Sequence, residues 1–143
     1  MTTRSKRMVS EEGAAAVEFA LVSMLLIVLL LGIMQFGYLF YQWNEITHAA
    51  REGARWAALE YPGGSVATPD TVRYRVAQAA PGMALTDADI SVSPESPSLD
   101  DVGDPATVVV THAVPIFTPL MQNIFGTAEN TFLLRSTATL RIE

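Results

Sequence analysis

The chain has no cysteine and only two histidines in 143 residues. Without cysteine there is no disulfide framework, no thiolate metal site, no cysteine nucleophile and no lipid-modified N-terminal cysteine. His48 and His112 have no second histidine or carboxylate at metal-ligand spacing, so each reads as a structural residue. Basic charge is scarce as well. A formal net charge of -6 leaves no basic face of the size that phosphate backbones require, which argues against nucleic acid as a partner. The most informative absence is local: between Glu18 and Glu45 there is no Asp, Glu, Lys, Arg or His.

That uncharged stretch changes the meaning of a composition that is 50% apolar. From Phe19 to Trp43 the chain is long enough for a helix of about 38 Å, against a hydrocarbon core of about 30 Å. Phe36, Tyr38, Phe40, Tyr41 and Trp43 crowd its far end, where aromatic rings favour the headgroup region. A cleaved secretory signal has a shorter apolar run, about 7–15 residues, ending in a small-residue cleavage site. A retained transmembrane helix fits better. Arg4, Lys6 and Arg7 precede it, whereas the chain beyond residue 40 carries six arginines against twelve acids. Lys and Arg resist translocation, so the N-terminus is expected inside and the C-terminal mass outside. The expected location is the cytoplasmic (inner) membrane, crossed once.

Glu18 does not suit a plain anchor. A carboxylate at membrane depth costs a few kcal/mol, on the order of 2–3 on the mildest insertion scale, unless a cation or water accompanies it. On position alone two readings stay open: Glu18 marks the watery edge of the span, or it meets a positive charge. The string Gly13-Ala14-Ala15-Ala16-Val17-Glu18-Phe19-Ala20-Leu21 resembles the processing site of type IV prepilins. That resemblance implies cleavage by a prepilin peptidase between Gly13 and Ala14. It also implies that Glu18, fifth in the mature chain, compensates the new α-ammonium of Ala14 within one chain or between neighbours. Glycine at the cut leaves the backbone accessible. Glu11 and Glu12 stand immediately before Gly13, where many relatives have basic residues.

A second string narrows the resemblance. His48-Ala49-Ala50-Arg51-Glu52-Gly53-Ala54-Arg55 is similar to the AAREGAR segment of TadE-like pseudopilins of the tight-adherence (Tad/Flp) pilus system, and the close similarity covers about residues 13–58. It implies a structural, non-enzymatic component for assembly of an adhesive pilus or related secretion apparatus. The implied partners are membrane lipid, the prepilin peptidase, other pilins or pseudopilins and the Tad assembly platform. A homo-oligomer and incorporation into the pilus are both compatible with it. The competing reading is an uncleaved single-pass protein whose small extracytoplasmic domain binds another envelope protein.

Beyond the span, residues 44–61 read as a continuing helix, rich in alanine and free of proline until Pro62. Ala49, Gly53 and Ala57 recur every four residues as a small-residue ridge that lets another element approach closely, either the protein's own head or another subunit. Glu52 and Arg55 are spaced i,i+3 as a solvated pair. Pro62-Gly63-Gly64-Ser65 then breaks the chain. Thr68 is the expected N-cap of a second helix, with Pro69 at its first position and Pro81-Gly82 ending it. Strands are expected at 88–93, 106–117 and 132–142, with a short turn or bulge at Leu120–Gly126. The fold class is α+β and pilin-like: a leader over 1–13, a transmembrane helix over 14–43, its continuation over 44–61, and a head over 62–143 with one helix and about three antiparallel strands. A head this small, without disulfides, needs the helix from Glu45 onward to complete its core.

Nothing suggests catalysis or a cofactor. No nucleophile elbow or Ser-His-Asp arrangement is present. Asp87, Asp89, Asp100, Asp101 and Asp104 lack the spacing of a calcium loop and read as solvated loop acids.

Overall fold

The computed structural model describes residues 4–117 and 130–143. In chain order these form α1 (Arg4–Ala58), α2 (Val72–Ala79), β1 (Ile90–Ser93), β2 (Pro105–Pro115) and β3 (Thr131–Arg141). Two 3-10 turns, Asp87–Asp89 and Leu99–Asp101, punctuate the loops. The expected turn at Leu120–Gly126 lies outside the described residues. Two compact units result, Met1–Gly37 and Tyr38–Glu143, and α1 contributes to both.

In the first unit the helix from Phe19 to Met34 is apolar on all sides and none of its residues is buried. Phe19 is 74% exposed and Leu25 71%, and no residue of the most apolar window is buried. An all-round apolar helix needs an apolar surrounding, and a single long one of this kind fits a single-pass membrane protein.

The second unit is a helix pair laid on one face of an antiparallel sheet. Here α1 ends at Ala58 rather than Tyr61, because Glu60 adopts a left-handed φ of 62° and the Tyr61 N–H returns to the Trp56 carbonyl at 3.3 Å. The start of α2 also differs from expectation. Asp70 has a φ of 60°, which no α-helical residue can adopt, so Thr68-Pro69-Asp70 is a turn and the cap is Thr71. Thr71 Oγ1 accepts from the Tyr74 N–H at 3.3 Å. The Val72 and Arg73 N–H groups donate to the carbonyls of Pro62 at 2.9 Å and Gly63 at 3.0 Å. The free donors of the first turn are thus satisfied by the loop rather than by water. Val72 and Val76 of α2 and its C-cap Ala80 form one buried stripe.

The three strands lie in sheet order β1-β2-β3, joined antiparallel. Their register pairs Ile90 with Val110 and Ser93 with Thr107 on one side, and Pro105 with Arg141 through Pro115 with Thr131 on the other. The period-2 pattern places Ile90, Val92, Ala106, Val108, Val110 and Leu134 inward, all buried. Thr107 and Thr139 face outward and share a hydroxyl hydrogen bond of 3.0 Å. Two prolines sit inside β2 without cost. At each end of the β2–β3 ladder a hydrogen-bonded pair is even-numbered: the Ile116 N–H donates to Asn130 O at 2.9 Å, and the Ile142 N–H to Asp104 O at 3.0 Å. Odd β2 residues therefore turn their N–H away from β3, and Pro105 and Pro115 lie beyond the reach of β1.

One side chain ties the loops to the sheet. Arg73 Nε donates to Ile90 O at 3.1 Å, Nη1 donates to Gly64 O at 2.7 Å, and both Nη atoms engage the Glu95 carboxylate. Nearby, Asp87 Oδ1 accepts from the Val66 N–H at 2.7 Å. That bond, aided by the Ser65 hydroxyl and the charge of Arg73, holds the Asp87 carboxyl below the usual carboxylate range against a small opposing desolvation.

Candidate functional site

The N-terminal positions singled out by sequence are all helical and all exposed. Gly13 through Ala20 show no buried residue, and a Cβ placed on Gly13 would meet nothing within 4 Å. Gly13 therefore serves no packing purpose within the chain. In a helix interior glycine costs about 1 kcal/mol relative to alanine, so the backbone is locally weakest there. Ala14 and Glu18 are spaced i,i+4 and share one face, about 6 Å apart along the axis at 1.5 Å per residue. Glu18 has no ion pair among the described residues.

In the second unit the ridge is an inner seam. Ala49 is fully buried, Gly53 is buried and Ala57 is 1% exposed. A Cβ on Gly53 would overlap Val76 Cγ2 and lie 3.1 Å from Val108 Cγ1. Helix α1 thus touches α2 and β2 at one point, and only hydrogen leaves room for that. Ala50 and Ala54 are fully buried beside the ridge. The string AAREGAR alternates two jobs along one helix: its small residues close the core and its charges face water. Arg51 is exposed. Arg55 lies 3.9 Å from Glu52, with its side chain 70% exposed. At that exposure the pair contributes only a few tenths of a kcal/mol, on the order of 0.3.

Sequence reasoning missed what surrounds Glu52. Its Oε1 accepts from Trp56 Nε1 at 3.1 Å, Arg75 stacks 3.8 Å over the Trp56 ring, and Tyr61 packs 4.3 Å away. The i,i+4 spacing of Glu52 and Trp56 was the available signal. It also missed that two of the loop acids are caps. Asp89 Oδ2 accepts from the Thr86 N–H and hydroxyl at 2.8 and 2.6 Å. Asp101 Oδ2 does the same for Ser98 at 2.8 and 2.9 Å. The spacings Thr86 to Asp89 and Ser98 to Asp101 are capping-box patterns, with Asp in place of the usual Glu. Among the described residues no cluster of three or more histidines and carboxylates could hold a metal ion. His48 is exposed on α1 and His112 half-buried on β2 opposite Leu134.

The exposed apolar helix and the small-residue seam occupy the stretch that comparison with known families recognises: residues 13–55 match the family model described as TadE-like protein. This stretch of the helix is similar to the TadE-like family. No curated protein and no solved structure matches the chain. The TadE-like segment starts at Gly13 and closes at Arg55, so it takes in the uncharged run, Glu18 and the AAREGAR string. It ends before the three-stranded sheet begins. TadE-like pilus components are structural rather than catalytic.

Proposed function

We propose that this chain is a TadE-like minor pseudopilin, a structural component in the assembly of a tight-adherence (Flp-type) pilus or related secretion apparatus. The match of residues 13–55 to the TadE-like family carries the proposal. The bare apolar surface of α1 supports it, because a helix so exposed can be stabilised only by lipid or by other helices. In this reading the N-terminus lies inside the inner membrane, the head lies outside, and a prepilin peptidase cuts between Gly13 and Ala14. The cut creates an α-ammonium one helical turn from Glu18, on its own chain or a neighbour's. A carboxylate that burdened insertion thereby becomes half of an ion pair in low dielectric. Neighbouring pilins or pseudopilins and the assembly platform are the partners of the membrane helix.

The N-terminal residue of chains extracted from membranes tests the cut. The expected result is Ala14, with intact Met1 in chains carrying Gly13→Leu. Gly13→Leu removes no internal contact, since nothing lies within 4 Å of the new Cβ. Lost trimming would therefore report on the peptidase alone. Wild-type chains that all begin at Met1 would instead support the uncleaved single-pass protein. Glu18→Ala is expected to insert and be trimmed normally while pilus yield falls at least about ten-fold, the equivalent of about 1.4 kcal/mol of lost pairing. Normal piliation of that variant would leave Glu18 as a marker of the membrane edge.

A further inference from the structure

The two edges of the sheet are treated differently. Ile90, at the outer edge of β1, gives its carbonyl to Arg73, and the carbonyl of Glu95 just beyond is taken by the Gly63 N–H at 2.8 Å. On β3 the even residues bond to β2, so the N–H and C=O groups of Leu133, Arg135, Thr137, Thr139 and Arg141 point outward. Among the described residues none of these backbone groups has a partner until the Glu143 N–H reaches Ala58 O at 3.1 Å. An open edge of this length invites another strand.

Helix α1 runs alongside that edge and forms the floor of a groove. Ser136 Oγ contacts Thr47 Oγ1 at 3.4 Å, Arg51 and Ala54 border Thr137 to Leu140, and Arg55 and Ala58 border Leu140 and Arg141. Charge marks the groove in an otherwise acidic chain. Six arginines lie beyond residue 40. Arg73 is committed to Glu95, and Arg75 to Trp56 and Asp70. The other four lie on α1 and β3: Arg51 and Arg135, Arg55 at 3.9 Å from Glu52, and Arg141, whose Nε donates to Gly103 O; Arg51, Arg55 and Arg141 line the groove together with one acid, Glu143.

We infer that the edge of β3, floored by Arg51 and Arg55 of α1, is a docking site for an acidic extended segment of a partner protein, which adds as a fourth strand. The outward backbone groups supply the binding frame and the arginines choose the sign of the side chains. A second copy of this chain is a poor occupant. The Ile90 carbonyl on its β1 edge is already taken, and antiparallel pairing of two β3 edges gathers Arg135 and Arg141 of both copies on one short ladder. The inference rests on the second unit alone and is independent of N-terminal processing.

The full chain in detergent micelles, probed with short capped peptides alternating valine and glutamate, tests it, with a valine–lysine twin as comparison. The glutamate peptide is expected to slow amide exchange at the odd residues of β3, Leu133 to Arg141. It should bind about ten-fold more tightly than its lysine twin. Arg51→Glu with Arg55→Glu, both at exposed positions, should reverse that preference while the even β3 amides stay protected. Equal affinity for the two peptides would overturn the inference, as would no binding or protection elsewhere than the odd residues. So would concentration-dependent protection of those amides without peptide, which would assign the edge to a second copy of the chain.

Discussion

Gly53→Leu is expected to unfold the head at temperatures where the parent chain is folded. The glycine lies where α1 meets α2 and β2, and a Cβ alone would overlap Val76 Cγ2, crowd Val108 at 3.1 Å and touch Val72 at 3.6 Å. Valine is stiff at χ1, so Val76 cannot turn away, and all three valines are themselves fully buried. Extra methylenes in a packed core cost about 1–3 kcal/mol, and a whole isobutyl group belongs at or above the top of that range. Helix propensity returns only about 1 kcal/mol. The net loss, about 3 kcal/mol, is a large fraction of the 5–15 kcal/mol typical of a domain. Gly53→Ala should lose about 1 kcal/mol, because a strain of about 2 kcal/mol exceeds the roughly 1 kcal/mol of helix propensity gained. Urea unfolding of the detergent-solubilised chain, followed by the fluorescence of Trp56, measures both. Gly37→Ala is the control, since a Cβ there meets nothing within 4 Å. A Gly53→Leu midpoint equal to the parent's would mean that α1 does not close on α2 in solution.

Arg73→Ala is expected to cost about 3 kcal/mol, the lower end of the range for breaking a buried charged network, because Glu95 is half exposed and can rehydrate. The guanidinium is 15% exposed and joins three segments distant in sequence: the Gly64 loop, the first residue of β1 and the loop after it. Removing it strands the carbonyls of Ile90 and Gly64 as well as one carboxylate. Arg73→Lys should recover less than half of the loss, because an ammonium cannot form a fork on Glu95 and reach Ile90 O at once. The unfolding midpoint and the amide exchange of residues 64–72 and 90–95 report the effect. Unchanged exchange in Arg73→Ala would show that the loops hold themselves.

Local pattern made much of this fold legible. The uncharged run and the strands expected at 88–93, 106–117 and 132–142 are local patterns, and each element exists within a few residues of its expected place. The start of α2 was not legible. Thr68-Pro69 is a good helix opening by composition, and only the left-handed Asp70 with the carbonyls of Pro62 and Gly63 moves the cap to Thr71. Spacing alone does not show that the loop acids Asp89 and Asp101 also cap turns, or that Glu95 completes the Arg73 network. The open β3 edge could not be read at all, because strand order is a property of the assembled sheet. Gly53 carried a signal in its spacing, but which surface it meets depends on α2 and β2 being brought to it.

The bond between Glu143 and Ala58 has a consequence for timing. Ile142 is 2% exposed and belongs to the same core as Ile46 and Ala50. The helix that opens the head and the residues that close it are separated by nearly the whole of its synthesis. The core therefore cannot be completed while the ribosome is still making β3: α2 and β2 can meet α1 at Gly53 earlier, but burial of Ile142 and the Glu143–Ala58 bond come last. Closing so long a loop makes this docking a late and slow event relative to the β2–β3 hairpin. Any chaperone or neighbouring subunit that reaches the nascent head first meets an alanine-lined helix that the finished protein hides.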